Sequence, residues 1–234
     1  MPVRGPPARI VRVVRSRSLT EAELVLETFF LQGPAGRIEC LMKLPPVDPG
    51  AGAAIVCHPH PLFGGTMHNK VTHAIAGALV ALGLPTIRFN FRGAGLSEGK
   101  HDNGRGEQVD LGIVLDEVAR RFPERPLLVA GYSFGAYVGL RVGCADQRVA
   151  RLIGVGMPVA LFDFSFLAAC VTPLVIIQGE RDRFGPLPIV IALASAAGGG
   201  ARVLPVAGAE HGFTGELDPL QLRVREAVEN FQGA

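Results

Sequence analysis

The chain of 234 residues has no tryptophan, only two tyrosines and almost no net charge, because 23 lysines and arginines oppose 21 acids. A net charge of +2 argues against a broad surface for nucleic acid. Long apolar runs are also lacking, since the longest, residues 74–87, is interrupted by glycines and Pro85 and is too short to span a bilayer. These absences predict a soluble, cytoplasmic protein with neither nucleic-acid nor membrane partners, and they leave its oligomeric state open.

Cysteine is scarce as well, and none of the four cysteines stands in a Cys-x-x-Cys spacing. That spacing is typical of zinc sites and of thioredoxin-like redox sites, so both are disfavoured. All four lie inside apolar segments, which predicts buried free thiols in a reducing compartment. They are Cys40, Cys57, Cys144 and Cys170.

Residues 1–20 contain five arginines and no acid, the first acid being Glu21. The stretch lacks the apolar core of a signal peptide, and its run 10–14 suits a short strand. We interpret residues 1–22 as a basic extension or an edge strand, with a targeting or nucleic-acid-binding arm as the alternative. Residues 23–234 are predicted to form a single domain.

What the chain has in abundance is apolar side chains (48%) and glycine (30 residues), enough for a large core. Buried-strand patterns alternate with helical ones, which predicts a mostly parallel, doubly wound sheet with helices on both faces. The first two strands of the domain form an antiparallel hairpin. The predicted strands are 24–31, 37–44, 53–57, 85–91, 127–130, 151–157, 173–178 and 201–206, and the predicted helices are 69–82, 107–122, 134–143, 187–197 and 216–231.

One of these strand-to-helix transitions carries the pattern Gly131-x-Ser133-x-Gly135. A serine on a sharp turn between a strand and a helix projects its hydroxyl clear of the sheet, and small flanking residues leave room for the turn. The helix that follows directs backbone N–H groups towards the reacting centre. The segment therefore predicts a nucleophile elbow.

A serine nucleophile needs a base, and the base needs an acid that orients it. His211 follows the last predicted strand and Asp182 follows the strand before it, so both belong to the edge of the sheet where Ser133 lies. Asp163, after the strand 151–157, is the alternative acid. We favour Asp182 because of its position in the Gly-x-x-Asp loop after the penultimate strand.

Two further segments carry a family resemblance: His58-Pro-His-Pro-Leu-Phe-Gly-Gly-Thr-Met-His-Asn-Lys-Val71, and Arg88-Phe-Asn-Phe-Arg-Gly-x-Gly-x-Ser97. With the Ser, Asp, His order, they resemble a bacterial subgroup of small α/β-hydrolases related to dienelactone hydrolase and to serine-peptidase catalytic domains. The resemblance implies the α/β-hydrolase fold and the triad over residues 24–231. It implies no particular substrate.

The oxyanion of the reaction would need two N–H donors. The amide of Phe134, directly after the serine, is one. The loop after strand 53–57 would supply the other, and Pro59 and Pro61 cannot donate, which leaves His60 or Leu62. The resemblance favours His60.

These observations predict a serine hydrolase that cleaves small carboxylic esters through an acyl-serine, without a cofactor. A peptidase or thioesterase, or a non-catalytic binding protein of the same fold, is the alternative. The stretch between strands 151–157 and 173–178 has room for one short helix, so the lid is minimal or absent and short acyl chains are expected. The predicted substrate contacts are Leu62, Tyr132, Phe162 and Phe164. A metal site in the histidines of residues 58–73 is disfavoured, because no carboxylate cluster lies nearby in sequence.

Overall fold

A computed structural model describes residues 10–13 and 24–229 of the chain. The described residues form a sheet of nine strands in the order β1-β2-β3-β5-β4-β6-β7-β8-β9. The strands are β1 Ile10–Val13, β2 Val25–Gly33, β3 Gly36–Leu44, β4 Ala53–Cys57, β5 Thr86–Phe89, β6 Leu127–Tyr132, β7 Val149–Val155, β8 Leu174–Gly179 and β9 Ala201–Val206.

Strand direction divides the sheet into two parts. The pairs β1–β2, β2–β3 and β3–β5 are antiparallel. The other six strands of the sheet, in the order β5, β4, β6, β7, β8 and β9, run parallel to one another. The β2–β3 hairpin closes tightly, with Gly33 opposite Gly36. The expected architecture of a mostly parallel sheet with an antiparallel N-terminal part is thereby confirmed, and β1 extends it as an edge strand.

Five α-helices cover the two faces of the sheet in the described part of the chain. One core, formed with α2, α3 and α4, lies on one face, and a second core, formed with α1 and α5, lies on the other. Near-continuous burial of β4, β6 and β8 follows from this double cover. The helices are α1 Lys70–Ala81, α2 Arg105–Arg121, α3 Phe134–Gly143, α4 Leu187–Ser195 and α5 Leu217–Glu229.

Polar side chains fix the starts of the first two helices. The Asn69 side chain accepts a hydrogen bond of 2.9 Å from the amide of Val71 and so caps α1. Glu107, in the first turn of α2, accepts from the amides of Asp102 and Gly104 at 2.9 and 2.8 Å. Glu107 therefore ties the loop before α2 to the helix itself.

The stretch between β7 and β8 contains a single short 3₁₀ helix, Ser165–Ala169, and no longer helix. A second 3₁₀ turn, Pro61–Phe63, follows β4. No multi-helix cap covers the carboxyl ends of the strands within residues 24–229. The edge of the sheet that bears Ser133 therefore carries no helical lid in the described part of the chain.

The cysteine expectation is half wrong. Cys40 and Cys57 are buried free thiols whose pKa values are raised by burial, but Cys144 and Cys170 form a disulfide. The two partners are 26 residues apart in sequence and follow α3 and the 3₁₀ helix Ser165–Ala169 respectively. Only packing of that stretch against the end of α3 brings them together, so their spacing carried no signal.

Two other expectations concern the chain's surroundings. None of the described helices combines the length and apolarity that crossing a bilayer requires. The proposed basic extension of residues 1–22 lies outside the described residues except for β1, and so does the end of the helix predicted to reach residue 231.

Candidate active site

Ser133 stands at the turn between β6 and α3 with backbone angles of φ 57° and ψ −121°. A positive φ is costly for a residue with a side chain, and such strain is typical of a nucleophile elbow. Backbone oxygens close to the turn explain why positions 131 and 135 must be glycine. A Cβ on Gly131 would lie 2.1 Å from the carbonyl oxygen of Gly135, and one on Gly135 would lie 2.4 Å from that of Cys57.

The structure brings together the three side chains that the sequence analysis grouped. Nε2 of His211 lies 2.9 Å from Oγ of Ser133, and its Nδ1 lies 2.7 Å from Oδ2 of Asp182. With Nδ1 protonated, the imidazole donates to the carboxylate and leaves Nε2 free to accept the serine proton. This geometry can raise the nucleophilicity of the hydroxyl.

Asp182 is held in place by donors on its other sides. Its Oδ1 accepts from the amides of Phe184 and Gly185 at 2.9 and 3.3 Å, and its Oδ2 accepts from Nε2 of Gln178 at 2.9 Å. These bonds satisfy a carboxylate that is almost fully buried. They also fix the oxygen that faces His211.

Asp163, the alternative acid, is exposed, and it is Asp182 that contacts Nδ1 of His211. Its carboxylate accepts from the amide and the hydroxyl of Ser165, and these hydrogen bonds hold its pKa below the ordinary value. The role of Asp163 is thus to shape the turn into the 3₁₀ helix. Both acids follow strands at the same edge, and the Gly-x-x-Asp loop was the sequence signal that favoured Asp182.

Tyr132 and Phe164 depart from the expectation that they contact substrate. Tyr132 is only 4% exposed and its hydroxyl donates to the carbonyl of His211 at 2.9 Å, so it supports the histidine loop. Burial raises its pKa. Phe164 is 3% exposed and packs edge-on against Tyr137, which makes it a core residue.

Leu62 and Phe162 lie beside residues that adjoin the serine, since the amide of Leu62 bonds the ring of His60 and the ring of Phe162 neighbours that of Phe134. Leu62 is 70% exposed and its neighbour Phe63 is 87% exposed on the 3₁₀ turn after β4. The ring of Phe162 stacks on Tyr137 at 4.8 Å and lies 5.7 Å from the ring of Phe134. Apolar side chains therefore lie on the loop after β4 and on the stretch after β7, on either side of Phe134.

His60 and Phe134 are neighbours, with ring centroids 4.8 Å apart. No backbone carbonyl of the described residues accepts a hydrogen bond from the amide of either one. The amide of Leu62, in contrast, donates to Nδ1 of His60 at 3.2 Å. The amides of His60 and Phe134 thus have no backbone acceptor among the described residues, whereas the competing donor, Leu62, is already engaged.

His58 fixes the loop that carries His60. Its Nδ1 lies 2.6 Å from the carbonyl oxygen of Pro59, and its Nε2 accepts from the amide of Phe91 at 2.9 Å. Burial lowers its pKa from 6.5 to about 4, so the imidazole is neutral. This role was missed, since sequence analysis weighed His58 only as a metal ligand.

A second histidine near the site was also missed. The ring of His101 lies 4.5 Å from that of His60 and 5.3 Å from that of Phe134. Its Nδ1 is 2.9 Å from Oε1 of the fully buried Glu107. The one available signal was Glu107 itself, an acid in the first turn of a predicted helix, and that pattern is too common to mark a site.

The histidines are not grouped as metal ligands. His58 and His60 are engaged as described, and His68 and His73 are exposed on or before α1. Within the described ranges, no three His, Cys, Asp or Glu side chains come together in a way that could hold a metal ion.

Comparison with known proteins identifies the family to which the chain is similar. Residues 55–219 match the family model described as an alpha/beta hydrolase domain. An uncharacterised protein of Rickettsia prowazekii is 40% identical over 157 residues, which are 65% of this chain and 66% of that protein.

Two solved structures are similar along nearly their whole length. An alpha-beta serine hydrolase homologue from Coxiella burnetii is 40% identical, with a TM-score of 0.81 over 86% of this chain and 96% of the other. A serine hydrolase without a lid from Xanthomonas campestris is 34% identical, with a TM-score of 0.79 over 87% of this chain and 94% of the other. The chain therefore belongs to the α/β-hydrolase family, and serine hydrolases are among its similar structures.

Proposed function

We propose that the protein hydrolyses small carboxylic esters through an acyl-serine intermediate. The observation that carries the proposal is the hydrogen-bonded chain from Ser133 through His211 to Asp182, with distances of 2.9 and 2.7 Å. The resemblance of residues 58–71 to a small bacterial subgroup of hydrolases is consistent with it.

In the first half of the reaction, Oγ of Ser133 attacks the ester carbonyl while Nε2 of His211 takes its proton. The carbonyl oxygen becomes an oxyanion, which the amides of Phe134 and His60 stabilise. Asp182 keeps Nδ1 of His211 protonated and stabilises the imidazolium. The C–O bond to the alcohol then breaks, and the alcohol leaves with the proton from Nε2.

In the second half, a water molecule gives a proton to Nε2 of His211 and its oxygen attacks the acyl carbonyl. The bond to Oγ breaks, Ser133 recovers its proton from the imidazolium, and the acid leaves. Every proton passes through Nε2 of His211, from Ser133 to the leaving alcohol in the first half and from water to Ser133 in the second, so the cycle needs no cofactor. The free thiols Cys40 and Cys57 take no part in the cycle. The proposal also places the protein in the cytoplasm, where the Cys144–Cys170 disulfide would have to withstand cellular reductants.

The open edge of the sheet favours short acyl chains. Leu62, Phe63 and Phe162 offer a little apolar surface, and the single 3₁₀ helix after β7 provides no tunnel. Each buried methylene would contribute about 0.8 kcal/mol of binding free energy, so binding should stop improving once the acyl chain extends beyond this apolar surface. We expect kcat/KM to peak at roughly C2 to C6 acyl chains and to show no increase above the substrate's micelle concentration.

The test is hydrolysis of p-nitrophenyl esters of increasing chain length, with a peptide and a thioester as competing substrate classes. Ser133→Ala should lower ester hydrolysis by about 10⁴-fold. Ser195→Ala is the matched control, because Ser195 is exposed at the end of α4 and bonds only the carbonyl of Ile191. A fluorophosphonate probe should label the parent and Ser195→Ala, but not Ser133→Ala.

Ester hydrolysis by Ser133→Ala within tenfold of the parent would contradict the proposal, provided that the protein is free of host esterases. Faster turnover of the thioester or the peptide than of every ester would move the function to that class. Failure of the fluorophosphonate probe on the parent would favour a non-catalytic binding protein.

A further inference from the structure

The ring of His101 lies against both residues whose amides are proposed to stabilise the oxyanion. Its centroid is 4.5 Å from that of His60 and 5.3 Å from that of Phe134. The rings of His60 and Phe134 are themselves 4.8 Å apart, so the three rings form a triangle in which each one contacts the other two. The reaction proposed above assigns no role to His101, although its ring adjoins both donor residues.

The position of His101 is set by Glu107, whose carboxylate is fully buried. Nδ1 of His101 lies 2.9 Å from Oε1 of Glu107 but out of line for a hydrogen bond, so the contact is electrostatic. The same carboxylate accepts from the amides of Asp102 and Gly104 at 2.9 and 2.8 Å, and such partners are what a buried charge needs. Both amides follow His101 directly in the chain. Glu107 therefore fixes the ring and also the backbone that carries it.

The surrounding loop leaves His101 little freedom to move. Its side chain is only 7% exposed. A Cβ on Gly93 would lie 3.3 Å from the amide nitrogen of His101, and one on Gly104 would lie 3.8 Å from the ring of Phe134. The backbone around His101 is therefore closely packed, which keeps the ring against that of His60.

The peptide bond that carries the amide of His60 is held on both sides. On the carbonyl side, the oxygen of Pro59 lies 2.6 Å from Nδ1 of His58. On the other side, the side chain of His60 is fixed by its neighbours, because its Nδ1 accepts from the amide of Leu62 at 3.2 Å and its ring lies against that of His101. A change at His101 should therefore displace the amide of His60 without releasing it.

We propose that His101, anchored by Glu107, is a positioning residue for ester hydrolysis, because its ring holds that of His60 and so keeps the His60 amide beside the Phe134 amide. The inference rests on the proposed function and on His60 as an oxyanion donor. His101 acts through His60 and not on the reacting atoms. A group misplaced by about 1 Å can lower a rate by about 100-fold, so even a small displacement of this amide should be measurable.

His101→Ala should lower kcat for p-nitrophenyl butyrate by about tenfold, while KM stays within about twofold. The loss falls on kcat because the oxyanion forms only after the substrate has bound. It is smaller than the loss of about 100- to 1,000-fold that follows removal of a donor, because His58 still holds the carbonyl of Pro59. If the alanine variant does not fold, His101→Gln replaces it, and the same loss is expected because glutamine also lacks the ring.

His73→Ala is the matched control, since His73 is an exposed histidine on α1, on the face of the sheet opposite α2. It should leave kcat and KM unchanged. Glu107→Gln should lower kcat as His101→Ala does, and it should cost less in the His101→Ala background than in the parent, because both changes act through one ring. Fully multiplicative losses from the two changes, or an equal loss in His73→Ala, would overturn the inference.

Inhibition by butylboronic acid distinguishes positioning from a merely structural role. Its tetrahedral adduct with Ser133 places an oxygen where the oxyanion forms, so His101→Ala should raise its Ki by about the factor by which kcat/KM falls. A structural defect would lower the fraction of active enzyme and leave Ki unchanged, and that result would overturn the inference.

Labelling of Ser133 by a fluorophosphonate separates this inference from the proposed function. The phosphoryl oxygen needs the same two donors, so labelling of His101→Ala should be about tenfold slower than labelling of the parent. If the parent hydrolyses no ester but this difference is found, the ester function fails and the positioning role stands. If the parent hydrolyses esters but His101→Ala changes neither kcat nor labelling, only the positioning role fails. A parent that is neither active nor labelled overturns both.

Discussion

The buried imidazole of His58 should make the stability of the protein depend on pH. Burial lowers its pKa from 6.5 to about 4, because a charged ring would lose its hydration and could not accept from the amide of Phe91. Between these two values the unfolded chain binds a proton that the folded protein does not. Stability from this residue is therefore complete above pH 6.5 and is lost as the pH falls towards 4.

The size of the effect follows from the difference between the two pKa values. At about 1.4 kcal/mol per pH unit, the full loss is about 3 kcal/mol, and about 2 kcal/mol of it should appear between about pH 7.5 and about pH 5. Other groups also titrate in this range, among them His60 and His73, whose pKa values are lowered by partial loss of hydration and by neighbouring positive charge. They are present in both proteins of a mutant comparison, so they cancel.

The assay is urea unfolding at both pH values, followed by far-UV circular dichroism because the chain has no tryptophan. His58→Gln should be less stable than the parent near neutral pH, but it should lose about 2 kcal/mol less on acidification. Equal losses in both proteins would refute the reasoning. If the variant does not fold, an NMR titration of the parent that finds His58 ionising near its ordinary value would refute it as well.

Three further changes test other parts of the structure. Asp182→Asn should lower ester hydrolysis by about 10⁴-fold, whereas Asp163→Asn should change it less than about threefold; the reverse order would identify Asp163 as the orienting acid. Gly135→Ala should prevent correct folding because its Cβ would meet backbone oxygen, but Gly112→Ala, with open space in α2, should stabilise by about 0.5–1 kcal/mol; equal thermal stability of the two variants would disprove this. Alkylation of the urea-unfolded protein should label two of its four cysteines without reductant and all four after reduction, and four labels in both cases would exclude the disulfide.

The order of strands and helices could be predicted because it depends on local periodicity. Strands such as β4 and β6 are short apolar runs bounded by glycine or proline, and such runs favour a buried strand over a helix. The elbow was equally accessible, since its pattern from Gly131 to Gly135 lies within five residues of chain, although the room that Gly135 needs is set by the carbonyl of Cys57 on β4. His211 and Asp182 could be grouped because the carboxyl ends of parallel strands share one edge.

Tertiary packing accounts for what could not be predicted. Whether an aromatic residue after a strand lines a pocket or enters the core depends on the neighbours that cover it, and Phe164 is buried while Phe162 is only partly buried. Tyr132 stands directly before the nucleophile, yet its ring turns towards the loop of His211. Pairing of Cys144 with Cys170 depends in the same way on how the stretch after β7 packs.

The two segments that carried the family resemblance turn out to be joined physically. Asn90 accepts from the amide of Met67 at 2.8 Å, and Arg88 donates to the carbonyl of the same residue at 2.7 Å. His58 adds a third link through the amide of Phe91. The end of β5 and the two residues after it thus hold both ends of the loop that carries His60, the proposed oxyanion donor: the side chains of Arg88 and Asn90 hold Met67, and the amide of Phe91 holds His58. Because a donor displaced by even 1 Å loses much of its effect on a transition state, a motif that clamps this loop is a requirement of the chemistry as well as of the fold.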